Sequence, residues 1–119
     1  NEGLLSFDGK YWNLYPLPNK TIVRSVEIGT DNRIYVGGQD ELGYFSPGSN
    51  GRLQYHSLTQ FISARDKSFG DVWDILSFNK NIFFMTLVWI CIAYDRYAKK
   101  MSQRRARSAE YDLSNADEF

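Results

Sequence analysis

The segment that decides the fold runs from Ile22 to Leu58 and holds four short apolar or β-branched runs. They are Ile22-Val23-Arg24-Ser25-Val26-Glu27-Ile28, Ile34-Tyr35-Val36-Gly37-Gly38, Leu42-Gly43-Tyr44-Phe45 and Leu53-Gln54-Tyr55-His56-Ser57-Leu58. Between them lie Gly29-Thr30-Asp31-Asn32, Gln39-Asp40-Glu41 and Ser46-Pro47-Gly48-Ser49-Asn50-Gly51. Gly, Asn and Asp supply positive φ or side-chain turn bonds there, and Pro presets one dihedral. Strand-length runs alternating with turn chemistry predict an antiparallel meander.

The same grammar returns downstream. Val23-Arg24-Ser25-Val26 aligns with Val72-Trp73-Asp74-Ile75 at a shift of 72 − 23 = 49, and Ile34-Tyr35-Val36 with Ile82-Phe83-Phe84 at 82 − 34 = 48. Asn79-Lys80-Asn81 then stands for the turn Asp31-Asn32-Arg33, and Trp89 to Tyr94 for Leu42 to Phe45. Upstream, Gly3-Leu4-Leu5-Ser6-Phe7, the turn Asp8-Gly9 and Tyr11-Trp12-Asn13-Leu14-Tyr15 resemble the last two strands of a preceding unit. A four-stranded unit repeating at this length is the blade of a β-propeller, which buries its faces against neighbouring blades. The reading is all-β: half a blade (about residues 1–18), one whole blade (19–60) and three-quarters of another (68–95), too few to close a ring. The chain is therefore expected to be a piece of a larger protein. Trp12, Tyr35, Tyr44, Phe45 and Trp73 are the expected packing residues between blades.

Composition narrows the function classes. With 119 residues, 43% hydrophobic and 16% aromatic, the chain expects a substantial core. Fourteen Lys plus Arg balance fourteen Asp plus Glu, which argues against a nucleic-acid binder built on a basic field. A single cysteine, Cys91, excludes an internal disulfide framework and a structural zinc cluster, and a single histidine, His56, leaves little for acid-base chemistry. Cys91, in an apolar strand, reads as a small buried hydrophobe. No signal peptide is visible at Asn1.

Four stretches together resemble the two-component regulator propeller repeat: Asn1 to Gly9, Leu17 to Ser25, Asp31 to Gly38, and Glu41-Leu42-Gly43-Tyr44-Phe45. The family pattern of a turn aspartate, a strand with a central aromatic, a glycine pair and a short strand reading Gly-Tyr is found in order. The resemblance extends over about residues 1–95. It implies an extracytoplasmic sensor. Such repeats form large propellers in bacterial membrane proteins, followed by a β-sandwich, a membrane helix and a cytoplasmic histidine kinase or helix-turn-helix regulator. The implied location is periplasmic, the implied partner a small-molecule or glycan ligand, and the implied parent a homodimer. Unpaired strand edges and exposed aromatic faces predict self-association of this piece alone.

The chain departs from that pattern after Tyr94. A fourth strand is due, yet Arg96 to Arg107 carries six basic residues and no acidic one, and the tail 96–119 reads as helical or disordered. Glu110, Asp112, Asp117 and Glu118 follow, offsetting the charge, so direct nucleic-acid binding is not expected. The apolar run Ile82 to Tyr94 with its basic flank admits a rival reading as a membrane span. Thirteen positions fall short of the roughly 17 to 25 that a helical span needs, and β-branched and aromatic content favours a two-strand hairpin.

Candidate ligand-binding residues are Arg24 and Trp73, which align at equivalent inner-strand positions, where the blades of a propeller converge on its channel. A guanidinium and an indole suit a carboxylate-bearing or sugar ligand, through bidentate hydrogen bonding and ring stacking. The plainer reading pairs Arg24 with Glu27 or Asp74 as a structural bridge. The carboxylates Asp8, Asp31, Asp40, Glu41, Asp71 and Asp74 mostly sit at turns, which their backbone bonding explains without catalysis. Ser6, Ser25 and His56 show no triad spacing, and no phosphate-cradling glycine loop precedes a helix. The expected protein is non-catalytic, without cofactor or metal. A scaffold that offers its blades to a protein partner, with no small ligand, is the alternative.

Overall fold

A computed structural model describes residues 3–86 and 90–105, which form three antiparallel sheets. The first sheet pairs β1 (Leu4–Phe7) with β2 (Trp12–Tyr15). The second holds β3 (Ser25–Ile28), β4 (Ile34–Gly37), β5 (Leu42–Pro47) and β6 (Leu53–Ser57) in sequence order. The third repeats that meander with β7 (Val72–Phe78), β8 (Asn81–Thr86), β9 (Ile90–Asp95) and β10 (Lys100–Arg105). Two short 3-10 turns, Thr59–Phe61 and Ala64–Asp66, lie in the connection between the second and third sheets.

The repeat read from the sequence is repeated in the register. Val26 faces Val36 across β3 and β4, and Ile75 faces Phe84 across β7 and β8, the positions 49 and 48 residues on. The turns match as well: Asn32 (φ 63°) and Asn79 (φ 54°) both take the left-handed conformation that asparagine tolerates best after glycine.

Alternation along the strands divides the buried residues among those described into three clusters, one of them Phe83, Cys91 and Ala93 with Leu76 and Met85 on the other face of the third sheet. On the seam between the second and third sheets, Tyr35 and Leu42 meet Val72, Ile75, Ile82, Phe84, Ile92 and Tyr94. The connecting segment adds Leu58, Ile62 and Phe69, all buried. On the other face of the second sheet, Val36 and Phe45 pack with Leu17, Leu4, Tyr15 and Tyr55 under the first sheet. Gly37 is required at the seam: a Cβ there would run into the Val72 side chain. Gly43 makes room for the Tyr55 hydroxyl, which donates to Glu41 Oε2 at 2.6 Å. That buried carboxylate also accepts from Ser57 Oγ at 2.8 Å. Burial first, then the Glu41 carboxylate, push the Tyr55 phenol well above its ordinary range.

Two expectations are corrected. The stretch from Lys100 to Arg105, expected to be helical or disordered within the tail, is the fourth strand of the third sheet, paired with β9 from Lys100↔Asp95 to Arg105↔Ile90. Residues 106–119 lie outside the described residues. An edge strand tolerates basic residues, and the strand's one apolar residue, Met101, packs on the core, so the sequence carried almost no period-two signal. Trp12 and Trp73 are not packed between sheets: they are 66% and 52% exposed. Trp12 lies on the face of the first sheet turned away from the second, against Phe7 at 4.7 Å between ring centroids. Tyr35 and Phe45 are buried as expected, and Tyr44 is half-buried. The hairpin expected over Ile82 to Tyr94 is present in β8 and β9, which pair antiparallel from Asn81↔Asp95 to Met85↔Cys91; positions 87–89 lie outside the described residues. No helix among the described residues is long and apolar enough to cross a membrane.

Candidate functional site

Arg24 enters the second sheet at its inner edge, its backbone N–H bonded to Gly37 O at 2.7 Å. Its Nε lies 3.7 Å from Asp71 Oδ2, so its ionic partner is Asp71 and not Glu27 or Asp74. Geometry explains the difference. Residues an odd number apart in an extended chain point to opposite faces, which removes Glu27. Asp74 Oδ1 accepts from the N–H of Ile75 at 2.9 Å. Asp71 comes close because the two sheets begin side by side: Ser25 Oγ donates to Val72 O at 2.7 Å across the seam.

Arg24 lines an open cleft of about 460 Å³ with Asn19, Lys20, Thr21, Ile22, Gln39 and Asp40. Its two loops are laced together. Asn19 Nδ2 donates to Gln39 O at 3.0 Å, Gln39 N to Thr21 Oγ1 at 3.0 Å, and Thr21 N to Asn19 Oδ1 at 3.2 Å. Asp40 is stapled to the strand entry of the third sheet, its N–H to Gly70 O at 2.8 Å and its Oδ1 accepting Gly70 N at 2.7 Å. Lys20 (φ 56°) and Asp40 (φ 55°) hold left-handed backbone conformations that only a well-determined surrounding maintains in such residues. The cleft is preformed: Arg24 is paired with Asp71 yet half-exposed, Asp40 adds a carboxylate held by the Gly70 N–H, and Lys20 brings a cation that forms no ion pair among the described residues. It suits a carboxylate or another small anion.

Trp73, the other expected ligand residue, is not in that wall. It is the extra residue of a β-bulge, since the register passes from Val72↔Thr86 to Asp74↔Met85. The bulge re-aims its side chain, and the indole Nε1 donates back to Thr86 O at 3.0 Å. Sequence alignment placed Arg24 and Trp73 at equivalent positions, and an insertion of one residue separates their directions. The residues that do surround Arg24 come from loops whose strand pattern is silent. The one cue was the Asn19-Lys20-Thr21 triplet, whose Asn19 side chain serves the loop.

The remaining carboxylates are explained by their bonds. Asp31 accepts from Tyr35 Oη at 2.7 Å, and its Oδ2 lies 3.7 Å from Arg33 Nε. Asp8 caps the β1–β2 turn by accepting from Tyr11 N (2.7 Å) and Lys10 N (2.9 Å). Asp95 caps the β9–β10 turn through Tyr97 N and Ala98 N, both 3.0 Å. Those amide donors, Tyr11 first for Asp8 and Ala98 first for Asp95, hold both carboxyls below the ordinary value. A carboxyl with a depressed folded-state pKa contributes stability above its unfolded pKa and loses it as pH falls through the folded one. Thermal melts between about pH 5 and pH 2 should therefore show a falling midpoint, and Asp95→Asn should flatten that fall. An unchanged slope in the variant would remove Asp95 from the acid response. His56 stacks on Tyr44 and shares a hydrogen bond with Ser46 Oγ at 3.1 Å. Among the described residues no group of three or more His, Cys, Asp or Glu could hold a metal ion.

No family model, curated protein or solved structure matches this chain.

Proposed function

We propose that the chain supplies consecutive blades of a β-propeller, and that this propeller is the periplasmic ligand-sensing part of a bacterial signal-transduction or transcription regulator, acting without catalysis. One observation carries the propeller reading. Val26 on β3 and Ile75 on β7 are equivalent residues on equivalent faces, yet Val26 is 48% exposed and Ile75 only 3%. Ile75 is covered because the second sheet packs on that face of the third, Tyr35 and Leu42 in the same cluster. Val26 and its neighbour Ile28, 75% exposed, lie bare because the first sheet covers only the outer part of the face, over Val36 and Phe45. Two further strands beside β1 would complete the covering sheet, as the stacking of identical units in a propeller requires.

The sensor reading rests on the resemblance carried by Asp31 to Gly38 and Glu41 to Phe45, and on the preformed cleft that presents Lys20 and the half-exposed Arg24. Signalling would follow from differential affinity: a ligand that binds one arrangement of the parent more tightly shifts the population toward it. Titrating the chain with a panel of small carboxylates should find binders whose affinity Arg24→Met weakens roughly tenfold, the loss of about 1.4 kcal/mol expected for one charge-assisted contact. Binding that Arg24→Met leaves unchanged would sink the assignment of this cleft, and the scaffold reading would then be preferred.

A further inference from the structure

A second cleft, of about 390 Å³, lies where the outer strands of the second sheet meet the third. Its walls are aromatic. The His56 ring stacks on Tyr44 at 4.9 Å and 23°, and Phe61 meets Tyr94 at 6.1 Å. Phe61 remains 39% exposed, leaving ring surface for an occupant. At the cleft stands Lys99, the last residue of the Asp95-capped turn, its backbone fixed at φ 55° by the bond from its N–H to Asp95 O at 2.7 Å. Among the described residues Lys99 forms no ion pair, and no carboxylate lines the cleft. Asp95 itself is spent on Lys80, 3.7 Å away, and on two backbone amides.

We infer that this cleft binds a small planar aromatic carboxylate, its ring against Phe61 and His56 and its carboxylate on the Lys99 ammonium. The chemistry discriminates against the obvious rivals. A neutral sugar would lose Ser57 Oγ, already committed to Glu41 and Thr59, and would leave the Lys99 charge without a counter-ion. A phosphate would want more than one fixed cation. An organic cation would meet the Lys99 ammonium. The cleft size falls at the lower end of small-ligand sites, which fits one or two fused rings. It lies wholly within this chain and is separate from the Arg24 cleft, so it stands or falls independently of the sensor reading.

The test titrates the 119-residue chain with three probes, followed by protein NMR: indole-3-acetate, tryptamine as the same ring with a cation, and acetate as the anion without a ring. Indole-3-acetate is expected to saturate and to shift signals of Tyr44, His56 and Phe61, with the other two at least roughly tenfold weaker. Lys99→Met should weaken it by a similar factor and Lys99→Arg should restore it, while Phe61→Ala should weaken it without recovering tryptamine. The inference is overturned if indole-3-acetate fails to saturate at millimolar concentration, if tryptamine binds equally, or if Lys99→Met leaves the affinity unchanged. Lys99 is exposed, so its variants keep the fold on which this readout depends.

Discussion

Phe84→Ala is expected to lower the unfolding free energy by about 3–5 kcal/mol, the cost of emptying a fully buried aromatic site in a packed core. Phe84 has no exposed surface and sits edge-on to Tyr35 across the seam, 6.3 Å between centroids. Tyr35 in turn contacts Tyr44 at 5.6 Å and anchors its hydroxyl on Asp31. Burial, and then the Asp31 carboxylate, raise the Tyr35 phenol far above its usual range, so this hydroxyl stays a donor at any working pH. A cavity at Phe84 thus loosens both sheets at once. Chemical denaturation with a two-state fit measures the loss. A loss below about 1 kcal/mol would mean that the third sheet does not rely on the second for its burial.

Gly37→Val is the second large effect, with an expected cost of about 3 kcal/mol or more. A side chain at Gly37 is driven into Val72, and behind it into Ser25 Oγ, whose bond to Val72 O ties the two sheets together. The φ of Gly37 is not the obstacle; the close approach of the next sheet is. The partner substitution Val72→Ala should therefore recover part of the loss in the double variant, a coupling that a purely local strand defect would not show. Additive losses in the double-mutant cycle would place Gly37 and Val72 out of contact.

How far the sequence could be read follows from which signals survive in one chain. The strands with alternating or β-branched runs and Asn or Gly turns were legible, because period-two burial and left-handed turn residues act locally; β3, β4, β7 and β8 stand where the 49- and 48-residue shifts place them. β10 was not. Its six residues Lys-Met-Ser-Gln-Arg-Arg become a strand through the open edge of β9 and the Asp95 turn, which are tertiary causes. Phe69 and Ile62, deep in the seam, were equally silent, since they come from an irregular segment with no period. At the candidate site the cation was found and its partner was not: Asp71 is 47 residues from Arg24, and only the side-by-side strand entries bring them together. Trp73 misled because a single bulged residue reverses a direction that alignment assumes to be kept.

The central claim is that the bare half of the second sheet's face awaits two strands beside β1. It is tested most directly by placing a copy of residues 22–41, which carries the inner two strands of a unit and the connection that follows them, ahead of Gly3, and measuring thiol-reagent labelling of Ile28→Cys. Cys91 is buried and gives the slow reference. In the parent chain the new thiol should react freely, as the 75% exposure of Ile28 requires. In the extended chain labelling should slow by roughly a hundredfold, the added strands closing over Val26 and Ile28 at a gain near 2.7 kcal/mol. Labelling at the same rate in both chains, with no rise in melting temperature, would contradict the stacking of repeated units and the propeller built on it.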